Sequence, residues 1–142
     1  MRVFLDTNVL VSAFTTRGLC RDLFRLVLAE HEFLCGEVVL IELQRVLRER
    51  FNVPAGTVSD IIRLLRSYPM IARPAATPDI SVRDPDDLWV LASALAAKAE
   101  ILVTGDQDLL TLPVLPDLQV TDPRGFWALA KKSSADYSAR RT

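Results

Sequence analysis

The opening residues MRVFLDTNVL drive Val3, Phe4 and Leu5, an apolar run of strand character, straight into the carboxylate of Asp6. The pattern returns in ILVTGDQDLL, where Ile101, Leu102 and Val103 lead into Thr104, Gly105 and Asp106. Between them lie Glu42, in the segment VLIELQRVL, and Asp87, in the acidic run Asp84-Pro85-Asp86-Asp87. Carboxylates that a fold gathers in one place repel each other, and one takes up a proton unless a cation is present. A hard divalent ion with oxygen ligands, Mg²⁺ or Mn²⁺, removes that conflict. Mg²⁺ held by few carboxylates keeps several waters, and such sites commonly serve phosphate substrates.

Each acid also has an ordinary structural explanation. Asp6 could form a turn, with Thr7 and Asn8 capping a following helix, and Asp106 could cap the segment that begins at Gln107. Asp87 in a first helical turn gains ~0.3–1 kcal/mol from the helix dipole. Glu42 could be a solvated helix residue paired with Arg45. These separate explanations weaken together, because Lys98 is the only basic residue between Asp84 and Asp108, where five aspartates fall.

The rest of the composition narrows the chemistry. One histidine, His31, and two cysteines, Cys20 and Cys35, are too few for the usual zinc enzymes, and both cysteines sit in apolar segments that read as buried thiols. There is no glycine-rich phosphate loop with lysine, which argues against an NTPase. A receiver or haloacid-dehalogenase-like phosphatase would carry a second aspartate two residues after Asp6, and the sequence there reads DTN. Net charge is −1, so charge alone announces no partner, but eight of the fourteen arginines fall between Arg17 and Arg66. Arg17, Arg21 and Arg45 are candidate phosphate contacts, or plain solvated helix faces. No apolar run approaches the ~20 residues of a membrane span, and no basic and hydrophobic leader precedes the first strand. The expectation is a cytoplasmic protein that makes no use of a membrane.

The acids need elements to position them. With 142 residues, half of them apolar, one domain with a sizeable core is expected. Helical spacing of apolar residues marks 8–14, 19–30, 38–50 and 57–66, with short strands at 33–35 and 70–72. Pro69, Pro74 and Pro78 exclude helix from 68–82. Asp84 then supplies an N-cap and Pro85 a first helical position for an apolar helix to residue 99. Strands at 101–103 and 118–120 follow, with a helical turn at 107–112 between them and a final helix from Pro123. Residues 133–142 read as a polar tail to a domain of residues 1–132. Strands alternating with helices predict an α/β fold, a mostly parallel sheet covered on both faces. Asp6 and Asp106 then lie beyond the carboxyl ends of strands, where such sheets bind ligands.

Four blocks carry a family resemblance in order: FLDTNVLVSAF, VLIELQRVL, DPDDLWVLASAL and LVTGDQDLL. Over roughly residues 1–130 the chain resembles a PIN domain, in particular the bacterial group of toxin components of toxin–antitoxin pairs. The resemblance implies an Mg²⁺- or Mn²⁺-dependent ribonuclease acting on single-stranded RNA. Its ligand set falls on Asp6, Glu42, Asp87 and Asp106, with Thr104 and Asn8 in support and Asp108 replacing or assisting Asp106. It further implies a homodimer and a small antitoxin protein as partner. The competing reading is a PIN-like binding or assembly module with little catalysis.

Overall fold

A computed structural model describes the backbone of residues 1–141 and the side chains of residues 1–132. Among these, the strands are β1 (Arg2–Leu5), β2 (Glu32–Gly36), β3 (Met70–Ile71), β4 (Ile101–Val103) and β5 (Gln119–Thr121). The helices are α1 (Thr7–Thr15), α2 (Leu19–Glu30), α3 (Glu37–Glu49), α4 (Ala55–Arg66), α5 (Pro85–Ala96), α6 (Gln107–Leu110) and α7 (Pro123–Arg141). The strands form one sheet in the order β3-β2-β1-β4-β5, and every pairing is parallel.

Val3, Phe4, Leu5 and Ile101, Leu102, Val103 are almost without solvent exposure, as a strand covered on both faces requires. They pair in register, Val3 with Ile101 and Leu5 with Val103, so the two strands end together. Asp6 continues the ladder by one step, its N–H donating to the Val103 carbonyl at 2.9 Å. From β1 the chain builds outward through β2 to β3, then crosses back over to build β4 and β5 on the other side. Right-handed crossovers in the two directions put helices on both faces. The reversal of direction lies between β1 and β4, so a crevice opens beyond their carboxyl ends.

Packing around β2 fixes α2, α1 and the segment between α4 and β3 against the sheet. Phe14, Phe24, Phe33 and Tyr68 form a chain of edge-to-face rings with centroids 5.2–5.6 Å apart. Gly36 ends β2 where the backbone comes close to its neighbours: a Cβ there would stand 3.1 Å from Ile71 and 3.3 Å from the Phe4 ring. That approach brings α3, which starts at Glu37, over the ends of the central strands. α7 continues past residue 132, so the backbone shows no break at the composition boundary of the tail. Among the described residues no helix is long and apolar enough to cross a membrane.

Candidate metal centre

Asp6, Asp84 and Asp106 are all helix N-caps, of α1, α5 and α6. The capping explanation and the cluster explanation are both satisfied, because a cap occupies one carboxylate oxygen and leaves the group aimed at the helix start. Asp6 Oδ1 accepts from Thr7 N at 2.7 Å. Its Oδ2 accepts from Thr104 Oγ1 at 2.7 Å and from Asn8 Nδ2 at 3.2 Å. Thr104 Oγ1 in turn accepts from Asp106 N at 3.0 Å, and Asn8 Oδ1 from Gly105 N at 3.1 Å. Two side chains thus tie the loop after β1 to the loop after β4, and both hold the carboxylate of Asp6 in one orientation.

Asp6, Glu42, Asp87 and Asp106 line one cleft of about 330 Å³, together with Thr7, Asn8, Asp84 and Asp86. Glu42 reaches it from α3 and is held by Thr7 Oγ1, which donates to Oε2 at 3.2 Å. Asp87 comes from the first turn of α5, whose start is fixed by Pro85 and by the Asp84 carboxylate accepting from Asp86 N at 3.0 Å. Carboxylate oxygens of Asp87, Asp106 and Asp108 lie within 4.8 Å of one another. Asp6, Glu42, Asp87 and Asp106 therefore share one cleft, and Asp108 joins Asp87 and Asp106 in the close carboxylate group. Thr7 is not the helix cap that the sequence offered, since Asp6 caps α1 itself, and the Thr7 hydroxyl gains its bond to Glu42 only when α3 is folded over α1. Arg17 and Arg21 lie away from the acids, in a separate depression beside Phe14 and Phe24. Arg45 borders the neighbouring pocket and pairs with Glu49 at 3.7 Å.

Among the described residues that line the cleft, Arg50 is the single cation against six carboxylates. Burial raises the Asp6 carboxyl to about 6, against the lowering effect of its bonds to Thr104 and Thr7, and the charges of Glu42 and Asp106 raise it further. Asp87 is likewise pushed well above the usual carboxylate range, first by burial and then by the neighbouring Asp106 carboxylate. Asp87 Oδ2 is buried and has no hydrogen-bond partner. With both groups ionised nothing donates to it; a proton shared with Asp106 would satisfy it, and so would a cation. An all-oxygen donor set with an orphaned buried carboxylate oxygen fits a hard divalent ion.

Comparison with known proteins agrees with this geometry. No protein of curated function matches the chain by sequence. One chain in the crystal structure of VapBC2 from Rickettsia felis, bound to a DNA fragment from their promoter, shares the fold with a TM-score of 0.61 at 18% identity, over 86% of this chain and 98% of that one. A family profile described as PIN domain matches residues 2–108. PIN domains are generally metal-dependent nucleases, and the acidic cluster such chemistry requires is present. With that match running from β1 to the start of α6 and taking in Asp6, Glu42, Asp87 and Asp106, the chain belongs to the PIN-domain family.

Proposed function

We propose that this protein is a metal-dependent endoribonuclease that cleaves single-stranded RNA, the toxin of a toxin–antitoxin pair. The observation that carries the reading is the approach of Asp87, Asp106 and Asp108 carboxylate oxygens to within 4.8 Å of one another, with Oδ2 of Asp87 buried and unpartnered. Asp6, Glu42, Asp87 and Asp106 would hold Mg²⁺ or Mn²⁺, with Asp108 assisting. When bound, the ion supplies an activated water and a counter-charge for the phosphodiester oxygens. The chain's own part is positional. Thr104 and Asn8 fix the Asp6 carboxylate, and Thr7 fixes Glu42, so the acids do not have to reorganise when the ion arrives. Asp84 and Pro85 fix the start of α5 and with it the direction of Asp87. No side chain of the cleft is placed as a covalent nucleophile in this reading, and water is the attacking group.

The test is cleavage of a labelled single-stranded RNA by wild type and Asp87→Asn, with Mg²⁺, with Mn²⁺ and with EDTA. Metal-dependent cleavage that falls by orders of magnitude in the variant is expected; cleavage that persists in EDTA sinks the proposal.

The toxin assignment rests on the resemblance to bacterial toxin components and carries a cytoplasmic location, a homodimer and a small antitoxin protein. Apolar side chains left exposed on the helices, Leu64 at 41% and Leu95 at 38%, are compatible with such contacts. Light scattering at micromolar concentration should give the mass of two chains; a monomer alone contradicts the dimer.

A further inference from the structure

We propose that the pocket beside the acidic cleft is a nucleotide subsite, which seats one base of the RNA strand and a phosphate flanking the bond to be cut. The inference rests on the nuclease reading and adds to it a place where the substrate is gripped. An acidic cleft repels a polyanion, so binding of RNA must draw on cations and flat surfaces nearby. Arg50 and Phe51 stand on the rim of the cleft itself, and the pocket beside it adds a guanidinium stacked on an aromatic ring. A cavity of about 250 Å³ shares Glu42 and Asp86 with the acidic cleft as a common wall. Its other walls are Val38 and Ile41 of α3, Trp89 of α5, and the arginines Arg45 and Arg73.

The sequence periodicity explains the adjacency. On α3, Val38, Ile41, Glu42 and Arg45 follow one another at helical spacing, so a single face carries the cleft acid, an apolar floor and a cation. On α5, Asp87 and Val90 face the cleft, while Asp86 and Trp89, one residue earlier in each turn, face the pocket. Arg73, from the segment between β3 and α5, places its guanidinium 4.0 Å from the centroid of the Trp89 ring. Arg73 is exposed and has no ion pair among the described residues. Arg45 is paired only with Glu49, at 3.7 Å and with both side chains more than half exposed, a contact that a phosphate displaces readily.

An aromatic ring, a guanidinium over it and an apolar floor are the parts with which single-stranded nucleic acids are held: bases stack on aromatic or guanidinium planes, and arginines take the phosphates. The recognition is tolerant of sequence, since every base has a π-face and no fixed donor–acceptor pattern lines the floor. The strand then runs from the subsite across the Glu42–Asp86 wall to the metal-binding acids.

The experiment uses fluorescein-labelled oligouridylate and oligoadenylate at low salt in EDTA, followed by anisotropy and by tryptophan emission. Binding with quenching of emission is expected for wild type, with the quenching abolished in Trp89→Phe. The Kd for both oligonucleotides should rise about tenfold or more in Arg73→Gln and in Trp89→Ala. Arg73→Gln alters an exposed side chain, so it carries the test even where Trp89→Ala fails to fold. Hydrolysis of bis(p-nitrophenyl) phosphate by wild type with Mn²⁺ reads the chemistry of the cleft separately from the grip on a strand. No binding, or an unchanged Kd in Arg73→Gln with quenching that survives in Trp89→Phe, overturns the subsite, whatever else occupies the pocket. RNA bound through Arg73 and Trp89 without diester hydrolysis by wild type instead supports the subsite and removes the nuclease reading.

Discussion

At the scale of single residues, the cluster makes a direct statement about pH. The Asp6 carboxyl stands at about 6 in the folded protein against an ordinary 3.8. Between those values the folded chain binds more protons than the unfolded one, so stability falls as pH rises through that window. A shift of about two units corresponds to ~3 kcal/mol, and Asp87 acts in the same direction. Urea midpoints measured in EDTA should therefore drop between pH 4 and pH 7, and Asp6→Asn should flatten the profile. A midpoint that rises steadily over this range contradicts the electrostatic description. Asp6, Asp106 and Asp87 stood out in sequence because a charged group at the end of an apolar strand or at a helix start breaks a local pattern, whereas Glu42, in the middle of α3, stood out only through the resemblance of its block. Thr7, Arg73 and Trp89 were not legible, because their roles come from partners far along the chain: Thr7 meets Glu42, and Trp89 meets Arg73 and the face of α3.

At the scale of elements, acids at helix starts have separable roles. Asp84 has its carboxylate committed to Asp86 N as the cap of α5, while Asp87, one turn in, has the unpartnered oxygen. Asp84→Asn keeps a cap and should leave RNA cleavage within about an order of magnitude of wild type; Asp84→Ala should cost about 1 kcal/mol of stability in a thermal melt. Loss of all cleavage in Asp84→Asn with stability unchanged would make Asp84 a ligand in its own right. Helix and strand positions followed closely from periodicity: the spacing over 38–50 became α3 at Glu37–Glu49, and that over 57–66 became α4 at Ala55–Arg66. The cap and proline at Asp84-Pro85 fixed the start of α5 where they predict it. The end of the last helix was less legible, since residues beyond 132 are polar and carry no apolar stripe to mark it.

At the scale of the whole molecule, sheet order decides where the acids meet. Nothing local in the sequence specifies β3-β2-β1-β4-β5, yet the parallel class and the matching ends of β1 and β4 followed from their apolar runs. That order puts the reversal between the two strands that end in aspartate. The assembled cluster then links stability to a ligand, since an ion that binds the folded state alone stabilises it by mass action, about 2.7 kcal/mol at 100 times its Kd. For a chain of this size each kcal/mol moves the Tm by roughly 2–4 °C or slightly more. The direct test of the central claim is a set of thermal melts of wild type and Asp6→Asn with EDTA, Mg²⁺ and Mn²⁺. In EDTA the variant loses a repelling charge and keeps a cap on α1, but its amide NH2 replaces the oxygen that accepts from Thr104 and Asn8, so the response to metal and not the EDTA baseline carries the test. Wild type should gain several degrees on adding either ion, and the variant should gain little. Equal gains in both proteins, or none in either, would contradict a metal centre built on Asp6.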